Sequence, residues 1–158
     1  MRVNSRLTVA AHILAMVAHI ERDQNRAATS DELAKSIGTN PVVVRRVLVQ
    51  LKKARLVDRR RGVGGGMVLA RDPRTINLRQ AYEAVESAEA ELLGRHAGDV
   101  GEECSVAPFI AEYLDEIYDD AEKALLERLA KVSVDEMART IVDRMRRRGA
   151  LHKHPGAC

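Results

Sequence analysis

Apolar residues recur at helical spacing from Leu7 through Ala11, Leu14, Val17 and Ala18, which predicts a first helix over about residues 5–21. A polar run over residues 22–28 interrupts the pattern. Thr29 and Glu32 then have the spacing of a capping box ahead of Leu33, Ala34 and Ile37, and Gly38 supplies a stop. Asn40 as N-cap and Pro41 at the first helical position restart the chain at once, and Val44, Val47, Leu48 and Leu51 form the buried stripe of a third helix. Two helices joined by so short a turn are a helix-turn-helix. The period then changes. Leu56-Val57-Asp58-Arg59-Arg60-Arg61, a glycine-rich bend over residues 62–66 and Met67-Val68-Leu69-Ala70 predict two short strands about a tight turn. A hairpin directly after a helix-turn-helix makes a winged helix.

In the second half, Asn77 and Gln80 cap a short helix over about residues 78–87. A polar region with Gly94, Gly98 and Gly101 is the best candidate for a mobile loop. Phe109, Ile110, Tyr113, Leu114, Ile117, Ala121, Ala124, Leu125 and Leu129 then keep a helical stripe going, which predicts one long helix over about residues 106–131. Ser133 and Glu136 cap a last helix with Val134, Met137, Ile141 and Met145 on one face. It ends in a run of arginines, Arg144, Arg146, Arg147 and Arg148, that suits the helix dipole. The expected fold is mainly α with a small β-hairpin wing. Residues 1–75 form the winged domain, 76–104 a short helix and a candidate sensing loop, 105–148 dimerisation helices and 149–158 a tail. The winged unit has its own core, so the long helix has little to bury against within one chain. Its expected partner is the same helix of a second chain, through Phe109, Ile110, Tyr113, Leu114, Ile117, Ala121 and Leu125.

Charge sharpens the division. The net charge of +3 conceals 16 Lys/Arg against 6 Asp/Glu in residues 1–80, and 10 against 17 in residues 81–158. A basic half joined to an acidic one points to a polyanion as partner of the first. One Phe, three Tyr and no Trp make a poor stacking platform for single-stranded nucleic acid. The longest uncharged stretch, residues 7–20, falls short of the roughly 20 apolar residues that a membrane helix needs. The start of the chain also lacks the order of a signal peptide, so the expected compartment is the cytoplasm.

The residues expected to meet DNA follow from that placement. Thr39, Asn40, Pro41 and Val42 sit at the start of the third helix, where short side chains approach base edges and the helix amino end favours phosphate. Arg45 and Arg46 follow on the same helix, with Lys52, Lys53 and Arg55 at or just beyond its end and Arg59, Arg60 and Arg61 on the wing. Several phosphates can be neutralised at once by such a set. The glycine run lacks the spacing and the following Lys-Ser/Thr of a P-loop and lies between two strands, so it reads as a turn. No Ser/His/Asp, paired-carboxylate or metal-ligand constellation emerges, and the chain does not read as an enzyme.

Residues 29–73, above all Ile37-Gly38-Thr39-Asn40-Pro41-Val42-Val43-Val44-Arg45-Arg46 and Arg60-Arg61-Gly62-Val63-Gly64-Gly65-Gly66, closely resemble the Rrf-two family of bacterial winged-helix transcriptional regulators. The likeness extends over about residues 5–148. It implies a homodimeric regulator, usually a repressor, on an imperfectly palindromic operator. Some members hold an iron-sulfur cluster with three cysteines in the loop before the long helix. This chain offers one thiol there, Cys104, so a cluster held in that way is not expected and no cofactor is assigned. His96, Asp99, Glu102 and Glu103 have no recognised ligand spacing, and Cys158 with His152 and His154 reads as a frayed tail. His12 and His19 read as packing or surface residues. Cys104 is either a redox-sensing thiol before a helix amino end or an incidental cysteine. The expected function is therefore a regulator answering to a redox or small-molecule signal. The other reading is a winged-helix protein-interaction adaptor without sequence-specific DNA binding.

Overall fold

The computed structural model describes residues 5–86, 93–95 and 106–149. The element order is α1 (Ser5–Gln24), α2 (Ser30–Ile37), α3 (Pro41–Lys53), β1 (Val57–Arg60), β2 (Gly66–Leu69), α4 (Leu78–Val85), α5 (Ala107–Ala130) and α6 (Val134–Arg147). This is the expected architecture, mainly α with one hairpin. α1 runs on to Gln24 through what reads as a polar break. His19 Nδ1 lies 2.8 Å from Asp23 Oδ2 one turn on, and Arg22 Nε donates to Asp23 Oδ1 at 2.7 Å.

α1 is the centre of the core. Val9, Ala10, Ile13, Leu14, Val17 and Ile20 are all buried, a wider band than the predicted stripe, because α1 packs against α2, α3, α4, α6 and β2. α2 opens with both halves of its capping box: Glu32 N donates to Thr29 Oγ1 at 3.2 Å and Thr29 N to Glu32 Oε2 at 2.8 Å. Gly38 closes it in the left-handed conformation, at φ +66°.

Arg26 grips the same Glu32 carboxylate at both oxygens, at 2.7 and 3.0 Å. That contact, helped by the Thr29 backbone and hydroxyl, holds the Glu32 pKa down to about 2 from an ordinary 4.5. A folded-state pKa below the unfolded one stabilises the fold above the unfolded value, and this contribution is lost as pH falls from about 4.5 toward 2. Glu32→Gln is expected to flatten the fall in denaturation midpoint across that window; an unchanged acid limb would place the acid sensitivity elsewhere.

β1 and β2 pair antiparallel, from Val57 opposite Leu69 to Arg60 opposite Gly66. A third segment, unforeseen in the sequence, joins them. Ala28 N donates to Met67 O at 2.9 Å and Met67 N to Ala28 O at 2.7 Å. The approach is so close that a Cβ on Gly66 would stand 2.5 Å from the Ala28 carbonyl oxygen, so contact with a neighbouring backbone requires glycine there. Glu21 Oε2 accepts from Leu69 N at 2.7 Å and ties the wing's base to the end of α1.

α4 carries the predicted capping box, with Gln80 N donating to Asn77 Oδ1 and Asn77 N to Gln80 Oε1. It ends at Val85, where Glu86 turns extended. Beyond α5 the chain returns: Leu78 N donates to Val132 O at 3.0 Å and Val134 N to Ile76 O at 2.8 Å. α6 then packs along α1. Its buried residues are Val134, Ala138 and Val142; of the predicted apolar face, Val134 is among them and Met137, Ile141 and Met145 are not. α6 meets α1 along a row spaced by four residues, which rotates Ile141 out to 42% exposure and leaves Met137 and Met145 half-buried. Those three line an apolar cavity of about 380 Å³ with Met16, His12 and His19 of α1.

Among the described residues no helix is long and apolar enough to cross a membrane. Of the predicted loop, Gly94 and Arg95 are described; Arg95 reaches Asp115 at 3.2 Å and also pairs with Asp119 on α5. Cys104, Cys158, His96, Asp99, Glu102, Glu103, His152 and His154 lie outside the described residues.

Candidate nucleic-acid interface

The spacing of α3 from its neighbours sets the site. Val44, Val47, Leu48 and Leu51 bury one side of the helix, so Val42, Arg45, Arg46 and Val49 are left exposed along the rest of it. Leu56 N donates to Leu51 O at 2.9 Å and turns the chain from α3 straight into β1, whose first residue, Val57, is buried. The next three, Asp58, Arg59 and Arg60, are exposed, and Arg61 continues them into the turn. A cleft of about 1080 Å³ results between α3 and the wing. It is lined by Arg45, Val49 and Lys52 from the helix and by Asp58, Arg59, Arg60 and Arg61 from the hairpin.

One carboxylate stands among these cations. Asp58 Oδ1 accepts from Arg59 N at 2.7 Å and lies 3.4 Å from Lys52 Nζ. The Arg59 amide first, then Lys52, hold its carboxyl below the usual carboxylate range, so it stays ionised at neutral pH. The pair joins the end of α3 to the base of the wing. Both partners are largely exposed, so the pair contributes little to the stability of the fold.

The sequence-predicted residues thus fall into two groups. Arg45, Arg59, Arg60 and Arg61 share one cleft. Thr39, Asn40, Pro41 and Val42 form the amino end of α3, with Arg46 exposed one turn further on. Asn40 is committed in part to the fold, because its Oδ1 accepts from Val42 N at 2.8 Å as the helix cap, leaving its amide nitrogen as the outward donor. Val49 and Asp58 were not singled out in the sequence. Position 49 is seven residues after Val42, two turns along the same face, and that spacing alone marks it. Asp58 carries no sequence signal of its own.

A second surface lies on α5. None of its described side chains is buried within the chain. Phe109 is 70% and Tyr113 62% exposed, Ile110, Ile117 and Ala121 are exposed as well, and Leu114 and Leu125 are half-buried. α5 makes its packing contacts within the chain with α4.

With this geometry in hand, the likeness to known proteins can be placed. Residues 3–140 match the model of the Rrf2 family, described as iron-dependent transcriptional regulators. YwnA of Bacillus subtilis (strain 168), a candidate HTH-type transcriptional regulator, is 38% identical over 135 residues, which cover 85% of this chain and 96% of that protein. A crystal structure of a candidate DNA-binding protein is 33% identical and superposes with a TM-score of 0.64, covering 84% of this chain and 98% of that one. The IscR structure from T. potens, 18% identical with a TM-score of 0.64, covers 89% of this chain and 88% of its own and shares the fold. The whole sequence holds two cysteines, and among the described residues no group of three or more His, Cys, Asp or Glu side chains is placed to hold a metal ion. A winged helix with a basic cleft, a long apolar-faced helix and a family match over most of its length together make this chain a member of the Rrf2 family of transcriptional regulators.

Proposed function

We propose that the chain acts as a homodimeric repressor in the cytoplasm, binding an imperfectly palindromic operator in double-stranded DNA and responding to a redox or small-molecule signal. The observation that carries this reading is the cleft, in which two helix cations, Arg45 and Lys52, and three wing arginines face a single opening beside the exposed row of α3. α3 is suited to the major groove, about 12 Å wide. Thr39, Asn40, Pro41, Val42, Arg45 and Arg46 then meet base edges and backbone, while Arg59, Arg60 and Arg61 take phosphates or the adjacent minor groove. The exposed apolar row of α5 supports the dimer, whose two-fold axis would set the two copies of α3 about one DNA turn, roughly 34 Å, apart. The apolar cavity between α1 and α6 supports the small-molecule form of the signal, and Cys104, ahead of α5, is the candidate thiol for the redox form. The proposal includes no resident cofactor.

The test is a fluorescence-anisotropy titration of the reduced protein against duplex DNA from upstream of its own gene, beside a scrambled duplex, at near-physiological salt. An affinity ratio of about 10³ or more is expected. Equal, weak binding to both duplexes would favour the adaptor reading. In the same assay Arg60→Ala is expected to weaken binding to both sequences and to lower the salt slope by about one, the signature of a lost phosphate contact. An unchanged slope would exclude that role for Arg60.

A further inference from the structure

The exposed apolar residues of the winged unit are not scattered. Over the described residues 5–86, the large apolar side chains on the surface are Val42, Val43, Val49 and Val63, three on α3 and one at the wing's tip. Val42 is 47% and Val49 68% exposed. Opposite the buried row of α3, at about 100° per residue, the outermost line runs through Val42, Arg46, Val49 and Lys53, with Arg45 beside it. Two valines are therefore set singly among cations. That arrangement is too small and too interrupted for an apolar protein interface, which needs a contiguous patch of a few hundred Å².

Valine has no hydrogen-bonding side-chain group, so in a major groove it can complement only an apolar feature of a base pair. The thymine 5-methyl group is the one such feature. Seven residues separate Val42 from Val49, which places them about 10.5 Å apart along the helix axis, close to three base-pair steps of about 3.4 Å. Arg46, between the valines on that line, and Arg45 beside it can reach guanine edges or phosphates without displacing the valines. We propose that Val42 and Val49 are specificity-determining residues that read thymine methyl groups, so that each operator half-site carries two thymines about three base pairs apart. This rests on the reading of α3 as the DNA-reading helix and names the class of site that it takes.

Duplexes would be selected from a randomised pool by the full-length protein, and the enriched half-site resynthesised with deoxyuridine replacing thymine at one position at a time. Deoxyuridine keeps every hydrogen-bonding atom and removes only the methyl. Two positions about three base pairs apart are expected to lose about three- to fourfold in affinity on that change, the effect of one buried methyl. Val49→Ala is expected to bind the thymine and uracil duplexes equally at one of these positions and Val42→Ala at the other, with unaltered melting temperatures because both side chains are exposed. Indifference to uracil at every enriched position, or a full thymine preference retained by both variants, would overturn the valine assignment alone. A pool in which no sequence is enriched would overturn the DNA-reading role of α3 and this assignment with it.

Discussion

For the dimer and palindromic operator proposed above, Ile117→Asp is expected to convert dimer to monomer and to lower operator affinity by two orders of magnitude or more. Ile117 lies two turns beyond Ile110 and one beyond Tyr113, in the exposed apolar row of α5. In a two-fold contact the same residue occurs on both sides, so one substitution introduces two carboxylates into one apolar seam. Each would have to shed its hydration without a partner, which costs several kcal/mol. Operator affinity falls when the dimer is lost, because tethering the second half-site contact to the first multiplies affinity by about 10²–10⁴. Within one chain Ile117 is already exposed, so the fold is expected to survive, with an unchanged far-ultraviolet spectrum. Light scattering after size exclusion reads the oligomer and anisotropy reads the operator. A variant that stays dimeric and binds normally would place the dimer contact on another face.

The second large effect is on stability. Leu51→Ala is expected to cost about 2–5 kcal/mol, the range for a buried leucine whose cavity cannot fully collapse. Leu51 is fully buried, and its carbonyl oxygen accepts the hydrogen bond that turns α3 into β1. The side chain therefore sits at the hinge of helix and wing. For a domain of this size the loss corresponds to a drop of about 5–15 °C in melting temperature. A cost under about 1 kcal/mol would mean that neighbouring side chains close over the gap. Paired with Arg60→Ala, the variant separates two ways of losing DNA binding: the first lowers the melting temperature, while the second acts on an exposed residue and leaves it in place.

The elements most legible in the sequence are those whose signals are local. Thr29 with Glu32, Asn77 with Gln80, and Asn40 with Pro41 each set a helix start through groups within three residues of one another, and all three helices begin there. The wing was legible for the same reason, since its turn and both strands lie within one short span. What was missed depends on distant partners. The Ala28 to Met67 pairing joins residues that no short-range pattern connects. The buried face of α6 is chosen by α1, which selects Ala138 and Val142 over the larger Met137 and Ile141. At the candidate site, the cations were readable from charge alone, whereas Val49 was marked only by its absence from the buried stripe of α3 and its seven-residue spacing from Val42.

The pairing of Ile76 and Leu78 with Val132 and Val134 acts as a staple between two points far apart in the chain. α4 is held on one side of it by Ala81 and Val85, and α6 on the other by Val134, Ala138 and Val142, so the winged core closes on itself without α5. α5 is thereby an excursion that leaves the core and returns to it. Extra turns added to or taken from it would leave the core's contacts intact and add only the slowly growing entropy of a longer loop. In a dimer built on α5, each added residue would move the reading heads by about 1.5 Å per residue of helix. Lineages carrying this fold could therefore retune the spacing of the sites they recognise by small insertions in one helix, while the part of the chain that folds and reads DNA stays under separate constraint.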